Sequence, residues 1–371
     1  MAGHRPITIE DPRGSLAVIF FEATTREDRI RGSKLANTAF GKSLSEESYL
    51  EREDYLADLP LARGTGWRWF SLALADNPEH VVAMCKTLHR DLLIRDSAGM
   101  RQEQGYCICS VITDSRYRGR GLATVLMKNI AEWLDGPGGA AASTLYSDVG
   151  DYYVNRGWDM CDAFQSTITV PPTPPSRDQR AKLPETRILT VDDLPHLCER
   201  DVESIKEDFQ NHDLAPGTTL VTALPIANMV NWQQKRICFM NAKLLGKTAE
   251  SKGSICESAD AWMYWYHDLH HRKLIIQRAK LPKDQSDDVA TEVLAQLLLD
   301  ALEEAAKWDI QTMTIWNPGP ELHRGMTLLS EEFGIDVLNE KREVANIPCI
   351  RWRGGEKKPT ILQPNEFYSW C

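Results

Sequence analysis

Apolar and polar positions in the first half of the chain alternate on two periods, one strand-like and one helical. Leu16 to Phe21 is a short apolar run with strand character, and 24 to 61 is charged with spaced apolar residues, which predicts helices. Gly66 to Leu74 and Val81 to Leu88 read as strands, and Gly105 to Thr113 is the strongest strand pattern in the chain. Beyond it, Leu122, Val125, Leu126, Ile130, Trp133 and Leu134 recur at helical spacing, until Gly136-Pro137-Gly138-Gly139 stops the helix. A strand at Thr144 to Ser147 and a short helix from Asp148 to Arg156 follow, the latter closed by Gly157 as a C-cap. Ala163 to Val170 is the last strand of this half.

Pro171, Pro172, Pro174 and Pro175 then interrupt the pattern. Such a segment continues neither a helix nor a central strand and runs extended. The expected organisation is a domain over 1–170, a Pro-rich linker over 171–187 and a second domain over 188–371. In the second half, Asp192 to Gln210 is helical in pattern and Asp260 to Arg278 reads as paired strands. Val289 to Trp308 is a long helix rich in Ala, Leu and Glu, and Thr312 to Trp316 is a strand stopped by Asn317-Pro318. Two strands, a long helix and a strand repeat the order found between Tyr106 and Ser147. A degenerate internal repeat of one fold is expected, the alternative being an unrelated α/β domain.

Length and composition support this: 371 residues with 42% hydrophobic and 26% charged residues allow two sizeable cores. The formal net charge of −10 argues against nucleic acid as partner, since phosphate binding needs a basic face, and tolerates a cationic substrate such as an amine. The nine cysteines form no CxxC pair, so reduced thiols and no metal site are expected. The start, MAGHRPITIEDPRG, lacks an apolar signal core, and no apolar run is long enough to span a membrane. A cytoplasmic enzyme without membrane attachment is the expectation.

The candidate chemistry sits in Arg118-Gly119-Arg120-Gly121-Leu122-Ala123, between the strongest strand and the amphipathic helix. A helix N-terminus offers unpaired N–H groups and the positive end of the helix dipole. Glycine before it lets the backbone come close to a bound pyrophosphate. Arg116, Arg118 and Arg120 add positive charge.

This strand, RxxGxA turn and helix resemble motif A of the GNAT superfamily of N-acetyltransferases. Thr144 to Trp158 resembles its motif B, with an aromatic-Tyr-x-x-x-Gly-aromatic ending. Within the superfamily the chain is similar to the fungal lysine N6-acetyltransferase group. That similarity lies in Cys85 to Leu88, Cys109 to Thr113 with Tyr117 to Ala123, Leu145 to Gly150 and Arg156 to Trp158. In the second half it lies in His267-Asp268, Trp316 to Pro318, Ile347-Pro348, Arg351-Trp352 and the ending Asn365 to Cys371. The resemblance implies an α/β GNAT fold, a mixed, mostly antiparallel sheet flanked by helices, followed by a second, degenerate GNAT-like half that shapes the acceptor pocket.

It further implies direct acetyl transfer from acetyl-CoA, as co-substrate, to a primary amine, without a metal. The first candidate acceptor is the N6 amine of lysine. Other candidates are a polyamine, amino-acid derivative or alkaloid amine of fungal secondary metabolism, and a scaffold that binds CoA without turnover is the rival of another class. By resemblance, Ser110, Val111, Ile112 and Thr113 would bind pantetheine through their backbone, with Arg118, Gly119, Arg120, Gly121, Leu122 and Ala123 on the pyrophosphate. Tyr153 would contact the cofactor and protonate the departing thiolate, and Tyr152, one residue away, would point elsewhere. The strand before the turn carries Tyr106, Cys107, Ile108 and Cys109 where some relatives place a glutamate, and Glu103 lies further back. The base is then a water relay, Asp148 or His89. The apolar tail Phe367 to Cys371 suggests one more element: threaded into the first domain, it would bring the carboxylate of Cys371 to the substrate. The cluster Trp262, Tyr264, Trp265, Tyr266, His267 and Asp268 is read mostly as core, with a substrate wall as the alternative.

Overall fold

The computed structural model describes residues 6–176 and 178–371. The first half contains β1 (Ile7–Ile9), β2 (Leu16–Glu22), α1 (Arg26–Phe40), α2 (Glu46–Ala57), β3 (Trp67–Leu74), β4 (Val81–Asp96), β5 (Gly99–Thr113), α3 (Leu122–Asp135), β6 (Ala142–Ser147), β7 (Asp159–Met160) and β8 (Phe164–Thr169). The second contains β9 (Arg187–Leu189), α4 (Leu194–Asn211), β10 (Thr219–Ala223), α5 (Ala227–Leu245), β11 (Gly253–Cys256), β12 (Ala261–Asp268), β13 (Lys273–Lys280), α6 (Asp287–Lys307), β14 (Thr312–Trp316), α7 (Pro320–Phe333), β15 (Val337–Lys341), β16 (Ile347–Trp352) and β17 (Thr360–Leu362). The expected helix over 148–156 is two 3-10 turns, Gly150–Tyr152 and Val154–Arg156, closed by Gly157 at φ 94°. Alternating tight turns there place Tyr153 between them rather than on a continuous helix face.

Two sheets carry these elements, ordered β1-β2-β3-β4-β5-β6-β16-β7 and β15-β8-β14-β13-β12-β11-β9, with β10 and β17 attached to the first through β4. Strands cross the Pro-rich segment in both directions. β8 precedes it yet pairs with β14 and β15, whereas β16 follows it and lies between β6 and β7. The length of β4 makes room for one exchange: residues 81–88 pair with β3, and 92–95 pair with β10.

The internal repeat is visible in the pairing. β4 and β5 are antiparallel, α3 crosses over, and β6 returns parallel to β5. β12 and β13 are likewise antiparallel, followed by α6 and a β14 parallel to β13. The helix starts differ. Ser286 caps α6, and Asp287 and Asp288 fill its first turn, so its positive end already faces acidic groups.

Packing follows the amphipathic patterns. α3 buries Leu122, Leu126, Met127, Ile130 and Leu134 against the first sheet, where Trp158 and Tyr106 join the same core. α6 is buried over most of its length from Val293 to Ala305, which matches the Ala/Leu-rich run there.

The chain's end is held between the halves. Glu366 pairs with Arg278 on β13, and Arg278 also makes a two-pronged contact, 2.8 Å at Nε and at Nη2, with fully buried Asp201 on α4. Tyr368, with no exposed surface, donates from its hydroxyl to the carbonyl of Ala223 at 3.0 Å, and Gln233 donates to the carbonyls of Tyr368 and Trp370 at 2.9 and 2.5 Å. Removing one member of a buried charge set leaves the others uncompensated. Arg278→Met should therefore destabilise the protein by about 3–5 kcal/mol in urea denaturation. It should also open the tail to carboxypeptidase, and resistance equal to wild type would show that the triad does not hold it.

Candidate acetyl-transfer site

The centre of the site is a parting of strands. β5 and β6 pair in parallel only from Gly105–Ala142 to Ile108–Leu145. Past that point the edge of β5 facing β6 has no ladder partner among the described residues. On the opposite edge the register with β4 shifts between Met84 and Lys86, and Ser110 adopts φ 53°, a bulge that bends β5 away. Ser110, Val111, Ile112 and Thr113 thus form a stretch of backbone free on one side, which an amide chain can use for hydrogen bonds.

The turn that follows completes the donor side. Gly119 and Gly121 take φ 77° and 79°, a region that L side chains rarely adopt. Gly121 is the N-cap of α3 and provides no side-chain cap, so the first-turn N–H groups at Leu122 and Ala123 stay open. A side chain at 121 would meet nothing within 4 Å, so the space over this helix end is clear. The three arginines do not act alike. Arg116 forks onto Asp114 at 2.6 Å, and Arg120 turns to Asp11 and the carbonyl of Gly14. Arg118 donates to the carbonyl of Thr113 at 3.3 Å and pairs with no carboxylate among the described residues, which leaves its charge available. This uncapped helix end, clear space and free strand edge fit a pyrophosphate with a pantetheine chain.

Tyr153 is nearly buried against the α3 side of the sheet. Burial raises its hydroxyl above the ordinary tyrosine range, with Tyr152, Cys85, Cys349 and Asp148 adding to the shift, so the proton is held at neutral pH. Tyr152 instead stacks under Arg156, 3.5 Å from guanidinium carbon to ring centre. Asp148 is exposed and accepts from the Asn346 N–H at 2.8 Å, fastening the approach to β16. His89 bonds Asp91 at 3.0 Å, three residues before the start of the β10 pairing.

The tail reaches the same gap from the other face. Cys371 Sγ lies 2.8 Å from Cys107 Sγ, and Cys107 pairs with Thr144 just before the strands part. Arg90 donates to the Trp370 carbonyl at 3.3 Å, and Tyr146 on β6 donates to Asn365 Oδ1 at 2.8 Å.

Beneath this face lies a charged group that pattern reading misses. Lys86, 1% exposed, pairs with Glu53, which also takes Arg52 at 2.7 Å. Lys86 Nζ sits 5.0 Å from the Trp67 ring centre, and Arg52 lies 4.3 Å from that of Tyr49. Burial pushes the Glu53 carboxyl up, but Lys86 and Arg52 outweigh it and hold it below the usual range. A lysine within the apolar run of β4 was the one available signal. α2 is so rich in charge that Arg52 and Glu53 do not stand out in it.

A cavity of about 450 Å³ opens beside the tail, between the α1–α2 loop, α5 and the second sheet. Ser43 and His270 bond across its mouth at 3.1 Å, joining the two halves. Of the aromatic cluster on β12, Tyr266 and Asp268 line this cavity, whereas Trp262, Tyr264 and Trp265 are fully buried and His267 bonds Glu304 at 2.9 Å. A larger cavity of about 1060 Å³ lies between the halves near β17; neither cavity is lined by Tyr153 or Cys371, but the smaller one is lined by Trp370, the residue next to Cys371.

Cys109 is the most reactive thiol expected here. A hydrogen bond to Cys371 and the charge of Lys86 outweigh burial and bring it down to about 7. Its alkylation by iodoacetamide, followed by peptide mass spectrometry, should rise through a midpoint near pH 7. Cys371→Ala, which removes the donor, should move that midpoint up, and an unchanged midpoint would remove Cys371 as the cause.

The profile of the "Acetyltransferase (GNAT) family" matches residues 33–152, and that of the "LYC1 GNAT-like C-terminal domain" matches 168–371. A lysine acetyltransferase of Yarrowia lipolytica (strain CLIB 122 / E 150) is 25% identical over 372 residues, covering 88% of this chain and 93% of that protein. A GCN5-related N-acetyltransferase from Kribbella flavida superposes with TM-score 0.52 at 15% identity, over 90% of this chain and 72% of that one. A probable N-acyltransferase from Enterococcus faecalis V583 does so with TM-score 0.56 at 11% identity, over 91% and 73%. At such identities the solved structures establish the fold and no more. The profile match over 168–371 spans more than half of the chain, and together with the match over 33–152 it places the protein: it belongs to the GNAT acetyltransferases, as an acyltransferase with a GNAT domain followed by a LYC1-type GNAT-like half.

Proposed function

We propose that the protein transfers acetyl from acetyl-CoA to a primary amine of a small molecule, with lysine N6 as the first candidate. The single observation that carries the small-molecule reading is the cavity of about 450 Å³ beside the chain's end, walled by residues of both halves. A protein substrate would need an open groove there. The Yarrowia lipolytica relative, named a lysine acetyltransferase, supports the choice of lysine.

In this reading Arg118 and the open N–H groups at the start of α3 hold the pyrophosphate, and residues 110–113 hold the pantetheine chain by backbone bonds. The acceptor nitrogen attacks the acetyl carbon from the cavity side and a tetrahedral adduct forms. The C–S bond then breaks, and Tyr153 gives its proton to the sulfur. The amine proton leaves toward the carboxylate of Cys371, directly or through water. Asp148 and His89, each engaged with a neighbour outside the gap, fit this role less well.

A CoA-release assay over amino acids, polyamines and peptides tests the reading, and no turnover on any small amine would overturn it. Tyr153→Phe should lower kcat on the order of 10²-fold while acetyl-CoA still binds. Gly121→Trp should abolish CoA binding by filling the space above α3, and full activity in that variant would remove the turn as the cofactor site. A chain ending at Tyr368 should fold but lose most of its kcat. Unchanged turnover would leave the terminal carboxylate without a role.

A further inference from the structure

The cations around the 450 Å³ cavity differ in how they are partnered. Arg52 lines it and shares the single carboxylate of Glu53 with Lys86, and Asp268 at the rim is bonded to His271 at 2.9 Å. Arg236, from α5, is different. It donates one hydrogen bond, from Nη1 to the hydroxyl of Tyr266 at 2.8 Å, and lies 4.9 Å from the ring centre of Trp370. Among the described residues no carboxylate lies within ion-pair distance of it. A guanidinium largely withdrawn from water, forked and always charged, is the side chain suited to a planar carboxylate. Trp370 is also the residue before Cys371, so Arg236 is anchored next to the point where the tail meets β5.

We infer that Arg236 receives a carboxylate of the acceptor, so that the substrate is an amine that also carries a free carboxylate, an amino acid rather than a polyamine. This rests on the acetyl-transfer reading above. A polyamine would bring positive charge beside Arg236 and Lys273, with Asp268 as the one carboxylate among the lining residues to receive it. An amino acid meets Arg236 with its carboxylate and lays its aliphatic chain along the faces of Phe367, Trp316 and Trp370. The cavity volume falls in the range of small-molecule sites, which run from about 300 to 1,000 Å³.

The test compares L-lysine with cadaverine, the same chain without the carboxylate, on the full-length protein with saturating acetyl-CoA. Wild type should prefer lysine in kcat/KM by about 100-fold, the loss expected for one charge-assisted, two-pronged contact. Arg236→Gln should raise KM for lysine on the order of 10- to 100-fold with kcat little changed, and leave cadaverine turnover unaffected or improved. Arg236→Lys should recover part of the lysine affinity because the charge returns without the fork. Equal use of both amines by wild type, or an equal fall for both in Arg236→Gln, would overturn the inference. Calorimetric binding of lysine and cadaverine separates the two levels. Arg236-dependent lysine binding without turnover on any amine would overturn the acetyl-transfer reading and leave the carboxylate site standing. Active acetylation of both amines alike would do the reverse.

Discussion

Two parallel strands that stay paired for four positions and then part set the conditions for everything else in this protein. A fully zipped β5–β6 pair would bury its backbone groups in the ladder and leave no room at the centre of the sheet. The bulge at Ser110 prevents this by bending β5 just where the pairing stops. One face of the gap then meets the open end of α3, and the other meets the end of the chain. The open end of α3 and the end of the chain thus lie on opposite faces of a sheet one layer thick.

The second half is built into that geometry rather than appended to it. β16 extends the first sheet beyond β6, β10 and β17 extend it beside β4, and β8 is given to the other sheet in exchange. Hydrogen-bond ladders shared by both halves couple their stabilities, because neither sheet can be completed by one half of the chain. The tail is tied to the second half by Arg278 and to α5 by Gln233 while its last side chain touches β5. A buried charge set of this kind adds little net stability compared with an apolar core of the same volume, but it specifies position closely, since any shift leaves a charge unpaired.

The same logic distinguishes the cations of the site. Arg116 and Arg120 have carboxylate partners and act as fasteners of the loops around the turn, and Lys86 and Arg52 share Glu53. Arg118 and Arg236 lack such partners among the described residues, one on each side of the sheet. Charges left unbalanced at the edge of a cavity are the ones a ligand can complete.

By itself, the sequence determined what local chemistry controls. The periodicity of 122–134, the glycine turn before it and the position of Tyr153 after β6 were all legible, because helix faces, positive-φ glycines and motif spacing depend on neighbours in sequence. The repeat order was legible for the same reason. The exchange of β8 and β16 was not, since a short strand carries no label for the sheet it joins. Nor was the 3-10 character of 150–156, where packing of Tyr153 between two tight turns overrides helical propensity. The tail's apolar character hinted at docking. Only the tertiary structure decided where it docks, and only there did Glu53, Lys86 and Arg236 become visible as a charged floor and an unpaired cation. Their meaning lies in which charges are neighbours in space, and long-range packing alone sets that.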